Sequence, residues 1–102
     1  MKIIEVKNRI PDLTNRLLSV WESSVRATHL FLSDGEIQSI KEYAPQALNG
    51  VAHLVVAEDE AGRAVAFMGV EDGSLEMLFI APEERGKGLG KRLIEYGIEK
   101  YA

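Results

Sequence analysis

The sequence predicts an α/β (α+β) fold with the element order β-α-α-β-β-β-α, in which a mixed, mainly antiparallel sheet is flanked by helices. Three observations point to it. Apolar residues recur at three- and four-residue steps between Pro11 and Leu48, which is the helical period. From Val51 to Ile80 the chain becomes rich in Val and Leu and is cut by two tight-turn signals. After three alternating glycines a helical stripe returns and runs to the end of the sequence. With 102 residues, 46% of them apolar, and no repeats, low-complexity tracts or linkers, the expectation is one domain over 1–102 with one core.

In chain order, Lys2 to Lys7 sets Ile4 and Val6 against Ile3 and Glu5, as a first strand with unequal faces would. Pro11 suits the first turn of a helix, and Leu13, Leu17, Val20 or Trp21, and Val25 carry its stripe to about Arg26. Ser33-Asp34-Gly35-Glu36 has the form of a capping box, and Ile37, Ile40, Ala44, Ala47 and Leu48 continue a second helix until Asn49-Gly50. Pro45 lies inside that pattern and predicts a break or kink near Tyr43 and Ala44. Ala52 to Glu58 and Ala64 to Val70 read as strands joined by a turn at residues 59–63; Asp72-Gly73 then leads into Leu75 to Ile80, making a meander. The last helix starts near Gly88 with the stripe Leu89, Leu93, Ile94, Gly97, Ile98 and Tyr101, where Gly97 suits close packing on the sheet.

Composition narrows the function classes. There is no cysteine, hence no disulfide, thiol nucleophile or cysteine-based metal site, and nothing that points to an oxidising compartment. The first six residues reach charge too early for a signal peptide, and no apolar run approaches the roughly 18 residues of a membrane span. Cytoplasm is the expected compartment, with no membrane partner. A formal charge of -4 weighs against nucleic-acid binding, and two histidines without ligand-like spacing give no metal site.

The strand Leu75 to Ile80 is stopped by Pro82, and the helix after it begins among Gly86, Gly88 and Gly90. The first N–H groups of a helix have no intrahelical partner and lie at the positive end of its dipole, and glycine lets an anion approach them without meeting a Cβ. Between Glu83 and Arg92 four bases (Arg85, Lys87, Lys91, Arg92) face two acids, so a polyphosphate is favoured locally on an acidic protein. The dinucleotide fingerprint does not fit the glycine spacing, and a P-loop does not fit because Arg92 follows Gly90-Lys91.

Arg85, Gly88 and Gly90 fill the pattern Arg-x-x-Gly-x-Gly directly after a strand ending in Ile80-Ala81-Pro82, and this stretch resembles the acetyl-coenzyme A signature of the GNAT N-acetyltransferase superfamily. The element order is also that of the N-terminal part of the GNAT fold. The resemblance implies that the backbone amides of Arg85, Gly86, Lys87, Gly88, Leu89 and Gly90, with Lys91 just behind, cradle the coenzyme pyrophosphate, and that Arg85 and Lys87 add charge at the rim. It further implies that Leu78, Phe79 and Ile80 pair through their backbone with the pantetheine arm, the Leu78 N–H polarising the thioester carbonyl.

Within that frame Glu76 is the candidate base for the acceptor amine, because strand alternation gives it the parity of Leu78 and Ile80; the alternative is a half-exposed strand residue facing solvent. Trp21, Ser24, Thr28, His29, Phe31 and Leu32 fall where the family lines its acceptor side, and small bacterial members carry a stretch similar to residues 27–32. His29 is either a substrate-orienting group or a loop histidine bonded to backbone, and Trp21 also suits the core. The family's general acid, a tyrosine on the helix after a fifth strand, has no counterpart among Tyr43, Tyr96 and Tyr101.

Family members continue with a fifth strand, a helix and two closing strands. The expectation is therefore a GNAT-like domain truncated after the helix that follows strand 4, leaving that strand as an open edge prone to homo-oligomer formation or strand exchange. Either the chain is a shortened product or a second chain completes the domain. The leading reading is an N-acetyltransferase moving acetyl from acetyl-CoA to a primary amine of a small molecule or peptide. Its rivals are a coenzyme A-binding or oligomerising fragment without catalysis, and a structural domain whose glycines serve only packing.

Overall fold

A computed structural model describes residues 1–28 and 32–101. Its elements are β1 (Lys2–Glu5), α1 (Pro11–Thr28), α2 (Asp34–Gly50), β2 (His53–Glu58), β3 (Ala64–Glu71), β4 (Ser74–Ile80), a 3-10 turn (Pro82–Glu84) and α3 (Leu89–Tyr101). The strands form one sheet in the order β1-β2-β3-β4, every pairing antiparallel. The observed order is the expected one, with element ends moved by one or two residues apart from the added 3-10 turn.

The two inner strands are made of residues that suit burial on both faces. Leu54 to Ala57 and Ala64 to Val70 are all buried, as a strand covered from both sides requires. α1 and α2 cover the face that carries Phe67, and α3 covers the face that carries Met68. Leu17, Ile37, Phe67, Met68 and Leu93 are among the largest fully enclosed side chains, so the core lies in two layers against the middle of the sheet. A Cβ added at Gly97 would stand 3.2 Å from Met68 Cε, which is why α3 can lie this close to β3.

α2 opens on a full capping box: the Glu36 N–H donates to Ser33 Oγ (3.1 Å) and the Ser33 N–H to Glu36 Oε1 (3.0 Å). Of the break or kink expected near Pro45, the break does not occur, since α2 runs from Asp34 to Gly50 with Pro45 inside it. Proline withholds only its own N–H from the Lys41 carbonyl, and the turn beyond it is held elsewhere. Leu48 is buried, and the Arg9 guanidinium donates to the carbonyls of Leu48 (3.0 Å), Asn49 (3.1 Å) and Ala52 (3.1 Å), closing the helix C-terminus.

β4 differs from its neighbours. Among the described residues it pairs only with β3, its last four residues are half-buried, and its first three are exposed. Its register slips once: Gly69 lies opposite Met77 but Val70 opposite Leu75, which leaves Glu76 as the extra residue of a β-bulge.

Candidate functional site

The last rung between β3 and β4 is the Ala81 N–H to the Val65 carbonyl (2.9 Å), after which the 3-10 turn redirects the chain. Gly86 (φ +79°) and Gly88 (φ +75°) then swing it into α3, a backbone region that other residues enter at a cost. The first helical bond is the Arg92 N–H to the Gly88 carbonyl (3.1 Å), so the capping position is held by a residue with no side chain to cap with. The backbone N–H groups of residues 86–91 donate to no described residue, and the first turn of α3 has no acidic side chain.

A Cβ at Gly86 or Gly88 would meet nothing within 4 Å, whereas one at Gly90 would come within 3.1 Å of Ile80 Cδ1. Gly90 therefore serves packing, while Gly86 and Gly88 leave a bare, open backbone. A row of unpaired amides at a helix N-terminus, approachable from solvent, suits the pyrophosphate of a coenzyme.

The cations around this loop are not arranged as expected. Lys87 Nζ is engaged by Glu84 Oε2 at 2.9 Å, and the Arg85 side chain points back to α1, where Nη2 donates to Ser24 Oγ (2.9 Å) and to the Ser24 carbonyl (3.3 Å). Lys91 is exposed, and Arg92 makes a long contact of 3.4 Å with the Met1 carbonyl.

Along β4, antiparallel bonding alternates between partner and open side. With Ala81 bonded inward and Phe79 opposite Phe67, the backbone groups of Phe79 are directed to β3 rather than, as expected, to a pantetheine arm, and Leu78 and Ile80 turn their N–H and C=O groups to the unpaired edge. Their side chains lie on the α3 face, while Met77 and Phe79 line the other face, in an apolar groove of about 220 Å³ shared with Trp21, Tyr43 and Phe67. Glu76 is exposed. The bulge alters the alternation beside it, because Leu75 lies on the α3 side with Val70, so simple parity no longer fixes where the Glu76 carboxylate points.

On the expected acceptor side, Trp21 is buried and forms the floor of the groove, combining core and lining roles. Thr28 ends α1 exposed, its hydroxyl donating to the Ser24 carbonyl at 2.9 Å. His29 and Phe31 lie outside the described residues. Glu22 holds Lys41 (2.6 Å) and Arg26 (2.9 Å), and Arg26 also reaches Asp34 (2.7 Å), tying α1 to the start of α2; Lys41 first and Arg26 second keep the Glu22 carboxyl below its usual pKa.

Two pairings were invisible in the sequence. One joins Ser24, expected only as an acceptor-side residue and here buried, to Arg85, 61 positions away. The other is a cluster at the far end of α3. The Tyr101 hydroxyl donates to Glu5 Oε1 (2.5 Å), the His53 Nδ1–H donates to Glu5 Oε2 (3.1 Å), and the His53 and Tyr101 rings stack at 4.1 Å. The Tyr101 bond, then the His53 bond, lowers the Glu5 carboxyl to about 2, while burial and Glu5 push the Tyr101 hydroxyl well up. His53 opens β2 with no partner near it in sequence, but it is joined to Glu5 across 48 residues.

Residues 50–102 match a family model described as an acetyltransferase (GNAT) domain. The chain is 32% identical over 96 residues to the peptidyl-lysine N-acetyltransferase YjaB of Salmonella typhimurium, covering 94% of this chain and 66% of that protein. It thus spans slightly under two thirds of that relative's length. The solution structure of apo-form YjaB from Escherichia coli superposes with a TM-score of 0.82 at 31% identity, over 97% of this chain and 66% of that one. PaiA N-acetyltransferase from Thermoplasma acidophilum, in complex with coenzyme A, shares the fold with a TM-score of 0.72 at 22% identity, over 97% and 71%.

Proposed function

The chain belongs to the GNAT acetyltransferases, and from that premise we propose that it transfers acetyl from acetyl-CoA to a primary amine, with a peptide lysine as the first acceptor to try. The observation that carries this reading is the unpaired row of amides at residues 86–91, set at the positive end of α3 with open space over Gly86 and Gly88. Those amides and Lys91 hold the pyrophosphate. The outward backbone groups of Leu78 and Ile80 take the pantetheine arm as a further strand, and Phe79 supports it from the groove side.

When bound, acetyl-CoA supplies an acetyl group activated as a thioester. The chain's own part is placement and proton handling. The Leu78 N–H donates to the carbonyl oxygen as negative charge develops there, Glu76 accepts the proton of the attacking amine directly or through water, and the C–S bond breaks as the C–N bond forms, releasing the thiolate. Trp21, Thr28, His29 and Phe31 border the acceptor. The proposed step calls for no metal. No helix of the described residues is long and apolar enough to cross a membrane, and the cytoplasm is the proposed site of action.

A second reading is favoured by one observation. Among the described residues β4 is paired on one side only, and it is bordered by exposed Tyr43 on one face and by exposed Leu75, Ile94 and Ile98 on the other, as suits a coenzyme-binding chain that self-associates through this edge without turnover. Thiol release from acetyl-CoA in the presence of lysine peptides separates the two. Release that depends on the lysine supports the transferase; coenzyme binding without release, in an oligomer, supports the second reading.

A further inference from the structure

We infer that Arg85 is not a phosphate ligand but a positioning residue, and that it acts through Ser24 to hold the amides of residues 86–91 in place; this rests on the coenzyme-binding role proposed for that loop. With Gly86 and Gly88 both at positive φ, the loop has two points of unusual backbone freedom, and nothing packs over either. Its other hydrogen bonds are local: Arg85 N–H to the Pro82 carbonyl, Lys87 to Glu84, and the first helical bond to Gly88. Among the described residues, the contact of Arg85 Nη2 with Ser24 is what joins residues 85–88 to a distant element.

The Ser24 end is built for the purpose. Ser24 is 5% exposed and is the buried polar residue of the described chain; its hydroxyl oxygen accepts from Arg85 at 2.9 Å, and its carbonyl accepts from both Arg85 and the Thr28 hydroxyl. A guanidinium near the C-terminal end of α1 also meets the negative end of that helix dipole. Hence the charge of Arg85 is directed into α1, away from an anion on α3, while its backbone stays at the mouth of the amide row. The same serine touches the last residue of α1, so the coenzyme loop and the border of the acceptor side are anchored on one point.

The experiment compares wild type, Ser24→Ala, Arg85→Met and the double variant. In the unliganded proteins, hydrogen exchange at the first bonded amides of α3, beginning with the Arg92 N–H that donates to the Gly88 carbonyl, should quicken about tenfold in each single variant, as expected for loss of one hydrogen bond to a charged group, with the β2 and β3 amides unaffected. Coenzyme A affinity should fall about tenfold in Ser24→Ala although the Arg85 charge is retained, and the double variant should be no weaker than Arg85→Met. The salt dependence of binding should be the same in wild type and Ser24→Ala. Wild-type exchange and affinity in Ser24→Ala, or losses that multiply in the double variant, would overturn the inference. Arg85→Met removes an exposed side chain and keeps the test open if Ser24→Ala folds poorly. Failure of the wild type to bind coenzyme A would instead sink the coenzyme reading, while exchange still reports on the strut.

Discussion

The two ends of α3 treat polar groups in opposite ways. At its C-terminal end Tyr101, Glu5 and His53 satisfy one another within 3.1 Å, and the result is a closed cluster that fastens the helix to β1 and β2. At its N-terminal end the chain withholds a cap, places glycine where a side chain would shield the backbone, and leaves the amides of residues 86–91 without a partner among the described residues. The cluster has the residues usually associated with catalysis; the loop has almost no side-chain chemistry. Yet satisfied groups have little left to offer a ligand, whereas unsatisfied donors at a helix N-terminus form an anion site. The contrast argues for a structural latch at one end and a ligand cradle at the other.

Substitutions at the two ends should therefore separate binding from stability. The largest effect is expected at the open end: Gly88→Glu adds a negative charge and a Cβ at φ +75°, and coenzyme A affinity measured by calorimetry should drop more than about a hundredfold, equivalent to losing two charge-assisted hydrogen bonds. Glu76→Gln, on the bulge between the ends, should lower turnover at neutral pH about a hundredfold in a thiol-release assay with little change in coenzyme affinity; equal turnover would return Glu76 to an exposed strand residue.

Smaller effects belong to the closed end. Tyr101→Phe removes the donor to Glu5 and should cost about 1.5 kcal/mol in a denaturant melt while leaving coenzyme affinity unchanged. Weaker still is its signature in acid. Glu5 is lowered from 4.5 to about 2 in the folded protein, so its contribution is full above pH 4.5 and is lost as pH falls through about 2. Without Tyr101 the folded Glu5 value moves back toward the unfolded one, so between about pH 6 and about pH 3 the variant should lose less stability than wild type, and the gap between the two should narrow on acidification. A variant that weakened coenzyme binding from this end would break the contrast.

The fold was largely legible because it rests on local patterns. The stripe of α1, the Ser33–Glu36 box, the turn at Asp72-Gly73 and the glycines before α3 are all read within a few residues. Pro45 does not break α2, and what holds the last turn of that helix is Arg9, some 40 residues away. The site was legible where it depends on backbone: the spacing of Gly86, Gly88 and Gly90 gives the amide row. It was not legible where side chains meet across the sheet. Arg85 looked like a rim charge until Ser24 was found beside it, and Glu76 lost its simple parity to a bulge that no sequence pattern announces. His29 and Phe31 remain sequence expectations.

The most direct test of the coenzyme cradle is a calorimetric titration of coenzyme A into the folded 102-residue chain. Saturable binding at one site per chain that Gly88→Glu removes and Tyr101→Phe preserves is the predicted result; a well-folded chain that gives no binding heat, or that binds equally well with glutamate at position 88, would contradict it.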